Sequence, residues 1–204
     1  MSQAAPATTA VSVCNGCHRA RELTDSSYVR ALLVAACRTP RTCYVVESPS
    51  TCTIFLSARP AKGDGLKVVT DKVFLARTND HGASFTFGGW VVPLTDPFRA
   101  VMPAVAVLSP KEWVVALRRR EIGDHAKDKS GWIDVVRTSD GGLTWSAPAW
   151  VANTGPSNGN PPAIAVASNG VICIAYGERT NRRICVRYSH NGTIPPLCCK
   201  QRAW

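Results

Sequence analysis

The chain has 204 residues, 45% of them hydrophobic and 19% charged, a balance that fits a folded globular domain and excludes disorder as the default. No run of about 18 apolar residues occurs, which excludes a membrane-spanning helix. The formal net charge of +10 suits an acidic partner, yet the basic residues are spread from Arg19 to Arg202 with one tight run, Arg118 to Arg120. Neither a stacking-aromatic motif nor a reading helix accompanies them, so nucleic acid is not an expected partner.

Residues 1–50 show no regular strand pattern and are expected to form an atypical segment outside the repeated domain. Cys14, Cys17 and His18 fit C-x-x-C-H, the spacing of haem attachment. The pattern is short, and Cys37, Cys43 and Cys52 do not repeat the spacing of a structural zinc site. No cofactor and no metal are therefore expected. The segment from Val29 to Cys37 ends on small residues before a cysteine but lies too far from Met1 for a processing signal, and reads as a buried strand or short helix. Nine cysteines, an odd number, do not establish a disulfide framework.

From residue 51 the text changes to short apolar or alternating segments separated by Gly, Pro, Asn and Asp, the pattern of antiparallel strands. Two passages repeat: Lys72 to Phe85, KVFLARTNDHGASF, and Trp132 to Trp145, WIDVVRTSDGGLTW. Each joins an apolar strand, an arginine and the motif Thr-x-Asp-x-Gly-x-(Thr/Ser)-aromatic. A third, degenerate copy near 188–195 keeps Arg187 and Gly192 but has His190 in place of the aspartate. The intervening text aligns too, Pro103 to Glu121 with Pro162 to Thr180. Each unit then holds four antiparallel strands, the blade of a β-propeller. The expectation is an all-β chain with about three four-stranded blades over 51–194 and a C-terminal tail over 195–204.

The motif has a structural explanation. An aspartate in an eight-residue turn accepts hydrogen bonds from N–H groups further along, here Asp80 and Asp140. Gly82 and Gly142 supply the positive φ of the reversal. Thr78, Ser84, Thr138 and Thr144 add hydroxyls, while Phe85 and Trp145 pack inward. No second carboxylate stands at fixed spacing from either aspartate, so both read as turn locks.

The two copies, at 78–85 and 138–145, resemble the Asp box of sialidases (neuraminidases) and related BNR-repeat proteins, and VVALRRRE with GNPPAIAVASNGVICIAYGER looks like the bacterial type. The resemblance covers Leu66 to Thr193. It implies a six-bladed propeller with its active site on the central axis, away from the turns. Three arginines would grip the sialic-acid carboxylate through guanidinium forks, a tyrosine helped by a glutamate would act as nucleophile, and an aspartate as acid and base. Arg59, Arg119 or Arg120, and Arg179 follow the second strands of three blades and are the carboxylate-binding candidates, Arg179 first. Tyr176 and Glu178 are the candidate catalytic residues, although the Arg-Ile-Pro motif is missing and MPAVAV and NPPAIAV carry no acid. Three blades cannot close a ring. The expected protein is thus a sialidase-like exo-glycosidase of terminal sialic acids, partial and with reduced or no activity alone, whose open blade edges invite self-association. The alternative is a non-catalytic BNR-repeat protein that binds glycans or a protein. A sialylated glycan or another anionic carbohydrate is the expected ligand.

Overall fold

The computed structural model describes residues 43–58, 71–121, 130–156, 161–178, 180–189 and 200–202. They form twelve strands in three antiparallel sheets. Sheet 1 holds β1 (Cys43–Val46), β2 (Cys52–Ala58), β3 (Lys72–Thr78) and β4 (Thr86–Trp90). Sheet 2 holds β5 (Phe98–Val107), β6 (Trp113–Glu121), β7 (Ser130–Thr138) and β8 (Ala149–Pro156). Sheet 3 holds β9 (Ala163–Val166), β10 (Ile172–Glu178), β11 (Arg183–Ser189) and β12 (Lys200–Arg202). In each sheet the strands are neighbours in chain order, so the chain is an all-β partial propeller of three four-stranded blades.

The first blade starts eight residues before the expected boundary at 51, inside the segment assigned to the N-terminal extension. The reason is local: in Cys43–Val46 the alternate residues Cys43 and Val45 are buried at 5% and 3% exposure, and the turn at Glu47 to Thr51 folds the strand onto β2 through Glu47 N–H to Thr51 O at 2.9 Å. Four residues are too few to show periodicity by themselves. β12 likewise lies within the expected tail, paired to β11 through Ile184 opposite Arg202.

The blades pack face to face. Between sheets 1 and 2 lie Phe55, Val73, Leu75, Trp113, Val115 and Leu117, each 0–2% exposed. Phe55 meets Trp113 and Trp145 edge-on at 6.1 Å each, a geometry worth about 0.5–1.5 kcal/mol per pair beyond burial. Between sheets 2 and 3 lie Val114, Ala116, Ile133, Ile172, Ile174 and Tyr176. This explains the uniform burial of β6 from Trp113 to Arg120, which is covered on both faces, whereas β10 alternates because only one of its faces is covered. β5 touches β1 on one side and β9 on the other, so these first strands lie along the inner edge. Among the described residues no helix is long and apolar enough to cross a membrane.

Strand direction gives the array two ends. At one, β3 and β7 run into the two repeated turns; at the other, β2, β6 and β10 finish while β3, β5 and β7 begin.

Candidate functional site

At the turn end the two motifs build the same hydrogen-bond set. Thr78 Oγ1 donates to Asp80 Oδ1 at 2.6 Å and accepts from Gly82 N–H at 2.9 Å, while Ser84 N–H donates to Asp80 Oδ1 at 2.9 Å. Thr138 Oγ1 donates to Asp140 Oδ1 at 2.7 Å and accepts from Gly142 N–H at 2.9 Å, and Leu143 and Thr144 N–H reach Asp140 Oδ1 at 2.9 and 3.0 Å. Both carboxyls are held well below the usual carboxylate range. Asp80 owes this chiefly to the Ser84 hydroxyl and then Thr78; Asp140 owes it chiefly to the Thr138 hydroxyl and then Thr144. Such groups stay ionised and fully engaged, which suits a lock and not a proton carrier.

Phe85 packs against the buried cluster of Leu56, Phe74 and Ala76, and Trp145 against the core between sheets 1 and 2. The glycines differ from what the motif suggests in one respect. Reversal takes two left-handed residues: His81 (φ 60°) with Gly82 (φ 86°), and Gly141 (φ 74°) with Gly142 (φ 90°). A Cβ on Gly142 would also stand 2.9 Å from Leu75 Cδ2, so this turn presses into the first blade. Arg77 pins the same junction: Nη2 donates to Gly141 O at 2.9 Å and pairs with Glu47 Oε2 at 3.1 Å.

The opposite end gathers the charge. Lys72, Arg118, Arg119, Arg120 and Asp134 are all 1–6% exposed. By alternation along β6, Arg119 faces sheet 1 with Trp113, Val115 and Leu117, while Arg118 and Arg120 face sheet 3 with Val114 and Ala116. Arg119 Nη2 donates to both oxygens of Asp96 at 2.7 Å, and its Nε lies 3.1 Å from Asp134 Oδ2. Lys72 Nζ donates to the carbonyls of Asp96 and Phe98 and lies 3.3 Å from Asp96 Oδ1. Asp96 sits in the connection from β4 to β5, so a lysine from blade 1 and an arginine from blade 2 clasp the chain segment that joins the blades. Asp71 and Arg99 form a second pair across the same junction.

Burial sets the protonation directions here. Desolvation pushes the Asp134 carboxyl up against the Trp132 hydrogen bond and the Arg119 charge. At Asp96 burial acts in the same sense, but the Arg119 hydrogen bond, the Phe98 N–H and two cations outweigh it and hold the group down. Burial draws Lys72 down despite its partner Asp96. Two carboxylates flanking one guanidinium are thus driven in opposite directions, the pattern found where acid and base roles diverge.

The sequence-derived candidates are placed as follows. Arg119 is committed to Asp96 and Asp134, and its Nη1 is a buried donor without a hydrogen-bond partner among the described residues. Arg120 lies in the register position equivalent to the residues directly after β2 and β10, which in sequence are Arg59 and Arg179. Those two, like Cys14, Cys17, His18 and His190, lie outside the described residues. Tyr176, 4% exposed, is packed into the core between sheets 2 and 3. Glu178 accepts from Thr180 N–H at 2.7 Å, Asn181 N–H at 3.1 Å and Asn181 Nδ2 at 2.9 Å, so its carboxylate closes its own turn. Lys72, Asp96 and Asp134 are not visible as a group in the sequence, because they meet across two blades from three separate segments. Met102 is also new: this inner-strand residue has φ 56° at a break in β5 pairing, donates its N–H to Ser57 Oγ at 3.0 Å and touches Arg118 through sulfur.

A cleft of about 430 Å³ runs along the outer side of the first blade junction, lined among others by Pro93, Asp96, Leu143, Thr144, Trp145 and Pro148. It joins the second turn to the charged clasp.

No protein-family model matches the sequence, and no curated protein matches it. Among solved structures, the chain is similar to a protein of unknown function from Dyadobacter fermentans, with a TM-score of 0.52 and 18% identity over 74% of this chain and 37% of that one. It is similar to an α-L-arabinanase of Penicillium chrysogenum complexed with arabinobiose, with a TM-score of 0.50 and 17% identity over 74% and 44% of the chains. A GH43_1 enzyme of Xanthomonas citri complexed with xylotriose gives a TM-score of 0.50 and 14% identity over 84% and 60%. At such identities the likeness is one of fold, and the chain spans 37–60% of the length of these three. The fold is a β-propeller of the kind found in glycosidases. One of these neighbours is named an α-L-arabinanase and one a GH43_1 enzyme, and none of the three is named a sialidase, so the sialidase assignment is narrower than the structural likeness.

Proposed function

We propose that the chain supplies three blades of a carbohydrate-active propeller, a glycoside hydrolase whose narrower form is a sialidase-type exo-hydrolase of terminal sialic acids. The observation that carries the reading is the separation of its two ends. One end holds two engaged Asp-box-like turns in equal register, and the other concentrates Arg118, Arg119 and Arg120 where β6 finishes. A guanidinium at Arg120, with Arg59 and Arg179 as its counterparts in the aligned sequence, suits the carboxylate of an anionic sugar. Tyr176 and Glu178 are left out of the reacting set, since one is packed into the core and the other holds a turn.

The test is retention of sialylated against desialylated glycans by the purified chain, with fluorogenic sialosides, arabinosides and xylosides followed for turnover. Arg120→Ala is expected to weaken sialoglycan binding about tenfold or more, as one charge-assisted contact is worth about 1.5–3 kcal/mol, with the melting temperature within a few degrees of the parent. The absence of both binding and turnover for every sugar tried rejects the proposal.

The cleft beside Leu143 and Trp145 favours a second reading, a non-catalytic glycan-binding propeller. Uncharged sugars would then be retained without hydrolysis, and retention would be insensitive to Arg120→Ala.

A further inference from the structure

Neighbouring arginines at the end of β6 are held by different chemistry. Arg119 is bound by two carboxylates, Asp96 and Asp134. Arg118, 3% exposed, instead directs Nη1 to the sulfur of Met102 at 3.6 Å. A thioether is a weak, neutral acceptor on a side chain of three rotatable bonds. At this contact it positions the guanidinium without neutralising it, and it can leave at little cost.

The backbone that brings the sulfur there is strained. Met102 lies on β5, one of the strands along the inner edge, where pairing with β6 breaks between Val101 and Ala104. Its φ is 56°, a left-handed conformation that a residue with a side chain rarely adopts. The neighbouring blade holds it so: Ser57 Oγ on β2, in a residue 7% exposed, accepts the Met102 N–H at 3.0 Å. The aligned position in the third blade is Pro161, whose ring fixes φ at about −65°, so sheet 3 cannot repeat the conformation. A bulge re-aims the side chain it carries, and strain held in place by a second element marks a constrained site. Here the redirected side chain ends on a guanidinium.

We infer that Met102 controls access to the anion site: its thioether covers Arg118 from the inner edge, and a ligand carboxylate takes the place of the sulfur when the side chain swings aside. That the ligand is a carboxylate-bearing sugar rests on the function proposed above; that Met102 guards Arg118 does not. Met102 is itself partly exposed while Arg118 is buried, so a ligand meets the thioether first. Exchanging a neutral acceptor for a carboxylate strengthens the bond to Nη1, which favours anionic over uncharged ligands at this step.

Peptide-resolved labelling of the arginines with phenylglyoxal provides the test. Glycine keeps the left-handed backbone without a cover, so Met102→Gly is expected to retain the parent's far-ultraviolet circular dichroism. Arg118 is expected to react about tenfold faster in Met102→Gly than in the parent, as reactivity scales with the open fraction, while Arg119 stays slow in both. Met102→Leu, which keeps the bulk, is expected to label like the parent. Ser57→Ala unpins the backbone from the other blade and is expected to give an intermediate rate, which tests the cover independently of any change at Met102. Sialylated glycan is expected to be retained more tightly by Met102→Gly and to protect its Arg118 from the reagent. Equal Arg118 labelling in parent and Met102→Gly overturns the inference, as does a parallel rise at Arg119, which would show general loosening. Faster Arg118 labelling with no retention of sialylated glycan by either protein rejects the sugar reading and leaves Met102 as the guard of Arg118.

Discussion

The two ends of the blades use charge in opposite ways. At the turn end each carboxylate is solvent-facing and satisfied within five residues of sequence: Asp80 by Thr78 and Ser84, Asp140 by Thr138 and Thr144. At the other end the charges are buried and satisfied across blades, Lys72 from sheet 1 and Arg119 from sheet 2 meeting on Asp96. The first arrangement can be built from a short segment alone. The second exists only when two blades have docked, so it reports on assembly as the turns cannot.

The largest effect is expected at the clasp. Asp96→Ala would leave Lys72 and Arg119, each 1% exposed, as buried cations without their shared carboxylate. Breaking a buried ion pair from one side destabilises by about 3–5 kcal/mol, read as a fall in the urea midpoint at neutral pH. A loss below about 1 kcal/mol would mean that the clasp is as weak as a surface pair, and the contrast between the ends would collapse.

Next comes acid. The turn carboxylates have folded pKa values below their ordinary 3.8, so the stability they add is present above that value and fades as pH falls beneath it. Asp134 has the reverse sign: its folded pKa is raised, folding disfavours its charged form, and that penalty disappears on acidification. The urea midpoint of the parent is expected to decline between about pH 5 and pH 3, and to decline less steeply in an Asp80→Asn/Asp140→Asn double variant. Equal slopes would show that the turn aspartates do not govern acid unfolding.

The smallest effect concerns the two turns against each other. His81 occupies a left-handed position at φ 60°, where the second copy has Gly141 at φ 74°. His81→Gly is expected to gain about 0.5–1 kcal/mol by relieving that backbone, less the contact of the ring Nδ1 with Pro49 O at 3.2 Å. A thermal melt decides the sign, and a loss would mean that the ring contact outweighs the backbone strain.

How much of this could be read from the chain follows from the range of each interaction. The repeated turn was legible because its hydrogen bonds close within five residues, and composition needed only to place Asp, Gly and hydroxyls at fixed offsets. Three four-stranded blades were legible because the spacing between the turns left room for four strands. β1 was not, since Cys43–Val46 is too short to show a period and its burial comes from packing against β5 in another blade. The tight Arg118 to Arg120 run was visible as a charge cluster, but its division was not: alternation sends Arg119 to Asp96 and Asp134 and turns its neighbours towards the next blade.

The amino-acid sequence by itself determined the all-β blades, their order and the two aspartate locks, because these depend on strand period and on contacts a few residues apart. Only the tertiary structure decided which charges are buried and which of them Asp96 joins. Those outcomes depend on which segments, dozens of residues apart, share the space between two docked sheets.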